Sequence, residues 1–216
     1  EKEIEQQKET IKAKYYGDDY DKLPDKKKQK IEAEVAQTFS YLNEELNINN
    51  EKGRLRSLSF DCIYGTDANP RMARTAKMNM IMHGDGHGGV HHHDGLLNVN
   101  GIFENRFDII LTNPPFGARV EKDLKISEAD RFTDEAKISS YVDRYGEAYN
   151  KALRQVNDNI NKSLLSLYKI DSSLTEVLFV ERCLNLLKPG GRMAIVLPEG
   201  VLNNPNLQKA RDFVEG

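Results

Sequence analysis

The stretch Phe107-Asp108-Ile109-Ile110-Leu111-Thr112-Asn113-Pro114-Pro115 restricts the fold of this chain more than any other. Its apolar run is continuous rather than alternating, which is the pattern of a strand buried on both faces of a parallel sheet. Two prolines follow, and neither can donate to a central ladder, so the strand must end at Thr112. Parallel strands need crossover connections, usually helical. The rest of the chain supplies them. Leu58 to Gly65 reads as a strand, Val90 to His93 as a short one and Arg192 to Leu197 as a further buried one. Between them, Asn69 can cap and Pro70 can open a helix carrying Met72, Ala73, Ala76, Met80 and Ile81. A second helix, Glu176 to Leu187, is closed by Lys188-Pro189-Gly190-Gly191. This alternation predicts an α/β domain with a largely parallel sheet.

Two polar regions flank and interrupt that core. Residues 1–56 carry 12 Lys or Arg and 13 Asp or Glu, with apolar residues at helical spacing only at Ile31, Val35, Phe39 and Leu42, so helices around a turn near Gly17 to Pro24 are expected. Residues 118–172 hold ten basic and ten acidic residues, with helical patterning from about Ile138. They read as an insertion with a solvated charged face, or as a mobile flap facing DNA or a partner. The expected division is therefore 1–56, 57–117, 118–172 and 173–216. With 30% charged and 38% hydrophobic residues the chain is neither disordered nor a membrane protein in composition. The opening Glu1-Lys2-Glu3-Ile4 lacks the order of a secretion signal. Cys62 and Cys183 read as reduced core cysteines of a cytoplasmic protein. A net charge of -3 argues against a broad DNA-binding face, so other parts would have to hold much of any DNA substrate.

Ligand sites of parallel α/β sheets lie beyond the carboxyl ends of the strands. Three expected strands end in polar residues there: Asp67, Asp94 and Asn113. A single such carboxylate is equally a helix cap or turn residue. The Asn113-Pro114-Pro115-Phe116 loop is more specific. Proline fixes φ and holds its predecessor out of the helical region, so the loop is stiff and presents the Asn113 side-chain oxygen and the Pro114 carbonyl as two fixed acceptors. An exocyclic amine conjugated to a ring is a poor nucleophile; two acceptors on its hydrogens would favour a tetrahedral nitrogen and stabilise the positive charge that develops on it. Phe116 would stack on the base.

These segments resemble the methylation subunit of type I restriction-modification systems, within the N6-adenine DNA methyltransferases. The resemblance covers residues 58–214 outside the insertion. It rests on Tyr64-Gly65-Thr66-Asp67-Ala68-Asn69-Pro70 with Ala76 to Gly84, on Phe107 to Gly117, and on Leu186 to Arg192 running into Val196-Leu197-Pro198-Glu199-Gly200-Val201-Leu202. It implies a Rossmann-like fold that uses S-adenosylmethionine. Asp67 would serve the cofactor ribose hydroxyls and Asp94 its adenine amine, with the adjoining Ala68 and Gly95 also at the cofactor, and Asn113, Pro114, Pro115 and Phe116 would serve the target base. Double-stranded DNA with a flipped adenine, a specificity subunit and a restriction subunit are the implied partners, in a bacterial or archaeal cytoplasm. Neither cysteine follows a proline, so the Pro-Cys nucleophile shared by cytosine-C5 methyltransferases is missing.

One part of the family pattern is absent: an Asp-Pro-Ala-Cys-Gly-x-Gly-like loop ahead of Asp67, whose glycines admit the methionine half of the cofactor. Gly84-Asp85-Gly86-His87-Gly88-Gly89 matches G-x-G-x-x-G but follows a helix and precedes a strand, the reverse of what such loops require. The expectation is a partial fold that begins after the loop, lacks the first strand, has a gap or altered pairing at the centre of its sheet, and binds cofactor weakly or not at all. His83, His87, His91, His92 and His93 suit a metal by type, yet neighbouring strand residues face opposite ways, so surface histidines and no metal are expected. Two rival functions remain: another Asn-Pro-Pro-aromatic methyltransferase acting on guanine N2 of RNA or on protein glutamine, and a noncatalytic interaction fragment.

Overall fold

The computed structural model describes residues 2–50, 52–83 and 88–215. The chain divides into two compact units, Glu1–Tyr64 with Arg74–Val90, and Gly65–Ala73 with His91–Gly216.

The first unit is helical. Helix α1 (Lys2–Tyr15) and helix α2 (Asp25–Glu45) flank a turn, as the spacing of Val35 and Phe39 predicts. Ile4 and Val35 are buried, and Lys12 lies over the Phe39 ring. Helix α3 (Arg54–Asp61) takes the first half of the segment expected to be a strand, Leu58 to Asp61, and extended pairing begins only at Gly65. Its alternation of Leu58, Phe60 and Cys62 suits either structure. The helical form lets Arg56 stack on Phe60 one turn later and Arg54 pair with Glu3 of α1 at 3.1 Å. Cys62, just past the helix, is exposed rather than a core residue.

Strand β1 (Gly65–Asp67) is therefore short. Asp67 Oδ1 accepts from Asn69 N, and Asn69 Oδ1 accepts from Arg71 N at 2.9 Å, capping helix α4 (Pro70–Met82) as expected. Residues 84–87 of the glycine-histidine loop lie outside the described residues. Strand β2 (Val90–His92) pairs with β1.

In the second unit, strand β3 (Phe107–Thr112) ends at the predicted residue and pairs in parallel with strand β4 (Leu187–Ile195). The register jumps from Phe107↔Leu187 to Ile109↔Arg192, so the Lys188-Pro189-Gly190-Gly191 turn loops out of the ladder. Gly190, at φ 81°, takes the left-handed conformation that the turn needs. Among the described residues the strands thus form two two-stranded sheets, and the strands ending at Asp67 and Asn113 belong to different ones. The division has a consequence for β3. It was expected to be buried on both faces, yet Ile109 is 65% and Leu111 78% exposed. With β4 as its one partner among the described residues, β3 keeps Phe107, Ile110 and Thr112 half-buried and leaves the rest of its residues exposed.

The insertion contains helices α5 (Glu135–Tyr145) and α6 (Glu147–Asn157). It is not a flap. Val120 N donates to Ser173 O and Thr175 N to Ala118 O, so its two ends are fastened together. Ile126, Val156 and Leu164 share a core with Leu96, Leu97 and Leu178 of helix α7 (Thr175–Leu186). A second cluster stacks Tyr141 and Tyr149 beside Phe103. The charges remain on the outward faces, while apolar spacing in α6 buries Tyr149, Ala152 and Val156. Helices α8 (Glu199–Asn203) and α9 (Gln208–Glu215) close the chain, with Ala210 and Phe213 against Val177.

Candidate active site

Asp67, Asp94 and Asn113 all belong to the second unit, each at or just past a strand end. His93 N donates to Asp67 O at 3.2 Å, which brings the ends of β1 and β2 side by side. Asp94 Oδ1 accepts from Leu96 N at 2.9 Å, turning the chain sharply after β2. Ala68 is held through its carbonyl oxygen, 3.1 Å from His92 Nε2. At Gly95 a Cβ would sit 3.0 Å from the Phe179 ring, so this turn packs closely against α7. Each carboxylate thus has one oxygen engaged in shaping its own turn.

His93 is half-buried rather than a surface residue. Its Nδ1 lies 3.1 Å from the Asp94 carbonyl and its Nε2 3.7 Å from Asp130 Oδ1, so it braces the turn from the insertion side. Among the described residues no three His, Cys, Asp or Glu side chains converge on a point that could hold a metal ion.

The Asn113–Phe116 loop leaves the end of β3 with Pro114 buried and Asn113, Pro115 and Phe116 exposed, Phe116 to 50%. Burying one proline of the pair roots the loop and leaves the Asn113 amide and the Phe116 ring facing solvent. Its far end is held by Glu176, whose Oε1 accepts from Gly117 N at 3.3 Å.

Helix α7 connects the two halves. Glu176, Phe179 and Arg182 recur every three residues and so lie along one stripe. Glu176 meets Gly117, Phe179 packs on Gly95, and Arg182 donates to Gly95 O at 3.2 Å, Leu97 O at 2.8 Å and Asn98 Oδ1 at 2.7 Å. Asn98 in turn donates to Gln155 Oε1, and Tyr168 Oη donates to Leu96 O at 2.6 Å. Burial lowers the Arg182 pKa, against the opposing pull of Tyr168, Cys183, Glu104 and Asp94. Glu181, fully buried, accepts from Lys169 N and Ile170 N, both at 2.8 Å. Beside this network Asn98, Glu104, Gln155 and Arg182 border a cavity of about 10 Å³, room for one water, which none of Asp67, Asp94 and Asn113 lines.

Sequence reasoning missed Glu176, Glu181 and Arg182. A signal was present: Thr175 to Leu186 is apolar on nearly every side, so the helix had to be buried and its charges buried with it. The neighbouring Cys183 follows the same logic, since burial pushes its thiol up to about 11 against the pull of Arg182. The native protein should therefore incorporate one equivalent of iodoacetamide at neutral pH, at Cys62, and a second at Cys183 only after denaturation. Peptide mapping checks this; native labelling of Cys183 would contradict its burial.

The class these features define is a mixed α/β protein with parallel strands and polar strand ends. A family model described as N-6 DNA methylase matches residues 26–144, more than half of the chain. The chain belongs to the N-6 DNA methylase family, a family of DNA methyltransferases, and the matched span includes Asp67, Asp94 and the Asn113–Phe116 loop. No curated protein matches it. Among the described residues no helix is long and apolar enough to cross a membrane.

Proposed function

We propose that this chain is the methylation subunit, or the amine-gripping part of it, of a type I restriction-modification system, and that it acts on adenine N6 with S-adenosylmethionine. The observation that carries the reading is the Asn113–Phe116 loop: its position after a parallel strand, its buried Pro114 and its solvent-facing Asn113 and Phe116. The two sheets are then parts of one Rossmann-like sheet.

The residues fit the adenosine half of the cofactor. Asp67 and Asp94 sit on adjoining strand ends, each with one oxygen committed to its turn and the other left as an acceptor for the ribose hydroxyls or the adenine amine. No glycine-rich turn follows a strand ahead of Asp67 among the described residues, so these residues do not account for the methionine half. The cofactor, when bound, supplies an electrophilic methyl group on a sulfonium sulfur. The chain's own residues act on the amine. Asn113 Oδ1 and the Pro114 carbonyl accept its two N–H hydrogens, which localises the nitrogen lone pair and favours the charge that develops there. Phe116 stacks on the base once it is flipped from the duplex. No strong general base is required, because the methylated exocyclic ammonium, attached to an aromatic ring, is acidic enough to lose its proton to water.

With a net charge of -3 the chain is poorly suited to grip DNA broadly, which supports separate partners, a specificity subunit above all, for sequence choice and much of the affinity. A methyl-transfer assay with the complete enzyme that contains this chain, on duplex DNA, RNA and a glutamine-bearing protein, tests the substrate class. The expected product is N6-methyladenine in DNA alone; methylated RNA or protein with unmodified DNA would replace this reading with the corresponding rival.

A further inference from the structure

Glu176 is an unusual residue to find beneath an active-site loop. It is only 5% exposed, and it sits in the first turn of α7, where the insertion returns to the core. One oxygen takes the Gly117 amide at 3.3 Å; the other, Oε2, is buried with no hydrogen-bond partner among the described residues. A buried carboxylate oxygen without a donor is costly, and such groups persist where the site has a use for them.

The surroundings indicate the use. The segment that follows the loop is stitched to the start of α7 by Thr175 N to Ala118 O, by Val120 N to Ser173 O and by the Arg119↔Leu174 bridge. Those bonds fix residues 118–120. Gly117 is the junction between this fixed strip and the exposed loop, and Glu176 is the side chain that reaches it. We propose that Glu176 is a positioning residue of the methyl-transfer site: it holds the Gly117 amide and thereby sets the placement of Asn113 and Phe116 relative to α7. The proposal rests on the reading of Asn113–Phe116 as the amine grip. The two oxygens of a carboxylate are equivalent, so the unused one lets Glu176 keep an acceptor on the amide as the loop tightens around a base. Loose hydrogen bonds of about this length commonly shorten when substrate arrives. The same helix face holds Gly95 through Phe179 and Arg182, so α7 sets the spacing between the amine grip and the Asp94 turn, about 9 Å along the helix axis at 1.5 Å per residue.

The bland alternative is that Glu176 merely stabilises the first turn of α7 by its charge. Glu176→Gln separates the two, since it discards the charge and keeps an acceptor. Glu176→Ala discards both. Amide exchange at Gly117, followed by NMR on this chain, and steady-state methyl transfer to DNA by the enzyme containing it are the two readouts. In Glu176→Ala, Gly117 should exchange at least about tenfold faster. Its kcat should fall about 100-fold, with the KM for cofactor unchanged. Glu176→Gln should remain within about threefold of the parent in both. Gly117 exchange unchanged in Glu176→Ala, or equal losses in the two variants, would overturn the proposal. If Asn113→Ala retains methyl transfer while Glu176→Ala frees Gly117, the amine-grip reading fails and only the loop anchor survives.

Discussion

Replacing Asn113 with alanine should lower kcat for methyl transfer to DNA by about 10²–10³-fold and leave cofactor affinity unchanged. The magnitude is that of removing one preorganised polar group aimed at developing charge, and the selectivity follows from where the residue sits. Asn113 is exposed at the end of β3, whereas the carboxylates at Asp67 and Asp94 belong to the other strand pair. Its removal leaves the buried Pro114 root and the Glu176 anchor in place, so the loop should keep its course. Cofactor affinity is read by calorimetry and kcat by methyl incorporation, both in the complete enzyme. Retained turnover would remove the basis for assigning amine chemistry to this loop.

The largest effect on stability is expected at Arg182. Arg182→Met keeps most of the side-chain volume but leaves Gly95 O, Leu97 O and Asn98 Oδ1 without their donors in a buried setting. Unsatisfied buried acceptors cost about 1–3 kcal/mol each, and partial relaxation brings the sum to an expected loss of about 3 kcal/mol. Arg182→Lys should restore little of it, because a single ammonium cannot reproduce the planar fork that spans three acceptors. In urea the midpoint should fall with an unchanged slope, and amides of Leu96 to Val99 should lose protection from exchange. A loss below about 1 kcal/mol would show that the turn after Asp94 holds itself.

The elements legible in the sequence are those whose cause is local. Two prolines end β3 at Thr112 whatever surrounds it. Asn69 followed by Pro70 starts α4, because a side-chain acceptor and a preset φ need no tertiary partner. Glycine at positive φ breaks the chain between α7 and the paired part of β4. Family membership was legible because the resemblance rests on contiguous segments, Tyr64 to Gly84, Phe107 to Gly117 and Leu186 to Leu202, the first two of them inside the matched span 26–144.

What the sequence left undetermined depended on partners distant in the chain. Leu58 to Cys62 fits a strand or a helix by pattern, and the contacts of Arg54 and Arg56 accompany the helical outcome. Ile109 and Leu111 read as buried because their neighbours in sequence are apolar, yet burial is a property of what packs above a strand, and no amount of local pattern contains that. The insertion read as a solvated charged face or a flap by its charge balance, while its apolar minority, Ile126, Val156 and Leu164, joins the common core. By itself, then, the sequence determined the Asn113–Phe116 loop as a stiff turn fixed by proline stereochemistry. The tertiary structure alone decided what stands behind that loop: a buried Glu176 under Gly117 and an Arg182 clamp on the Asp94 turn, because a buried charge is defined by partners that folding brings from 59 and 84 to 87 residues away.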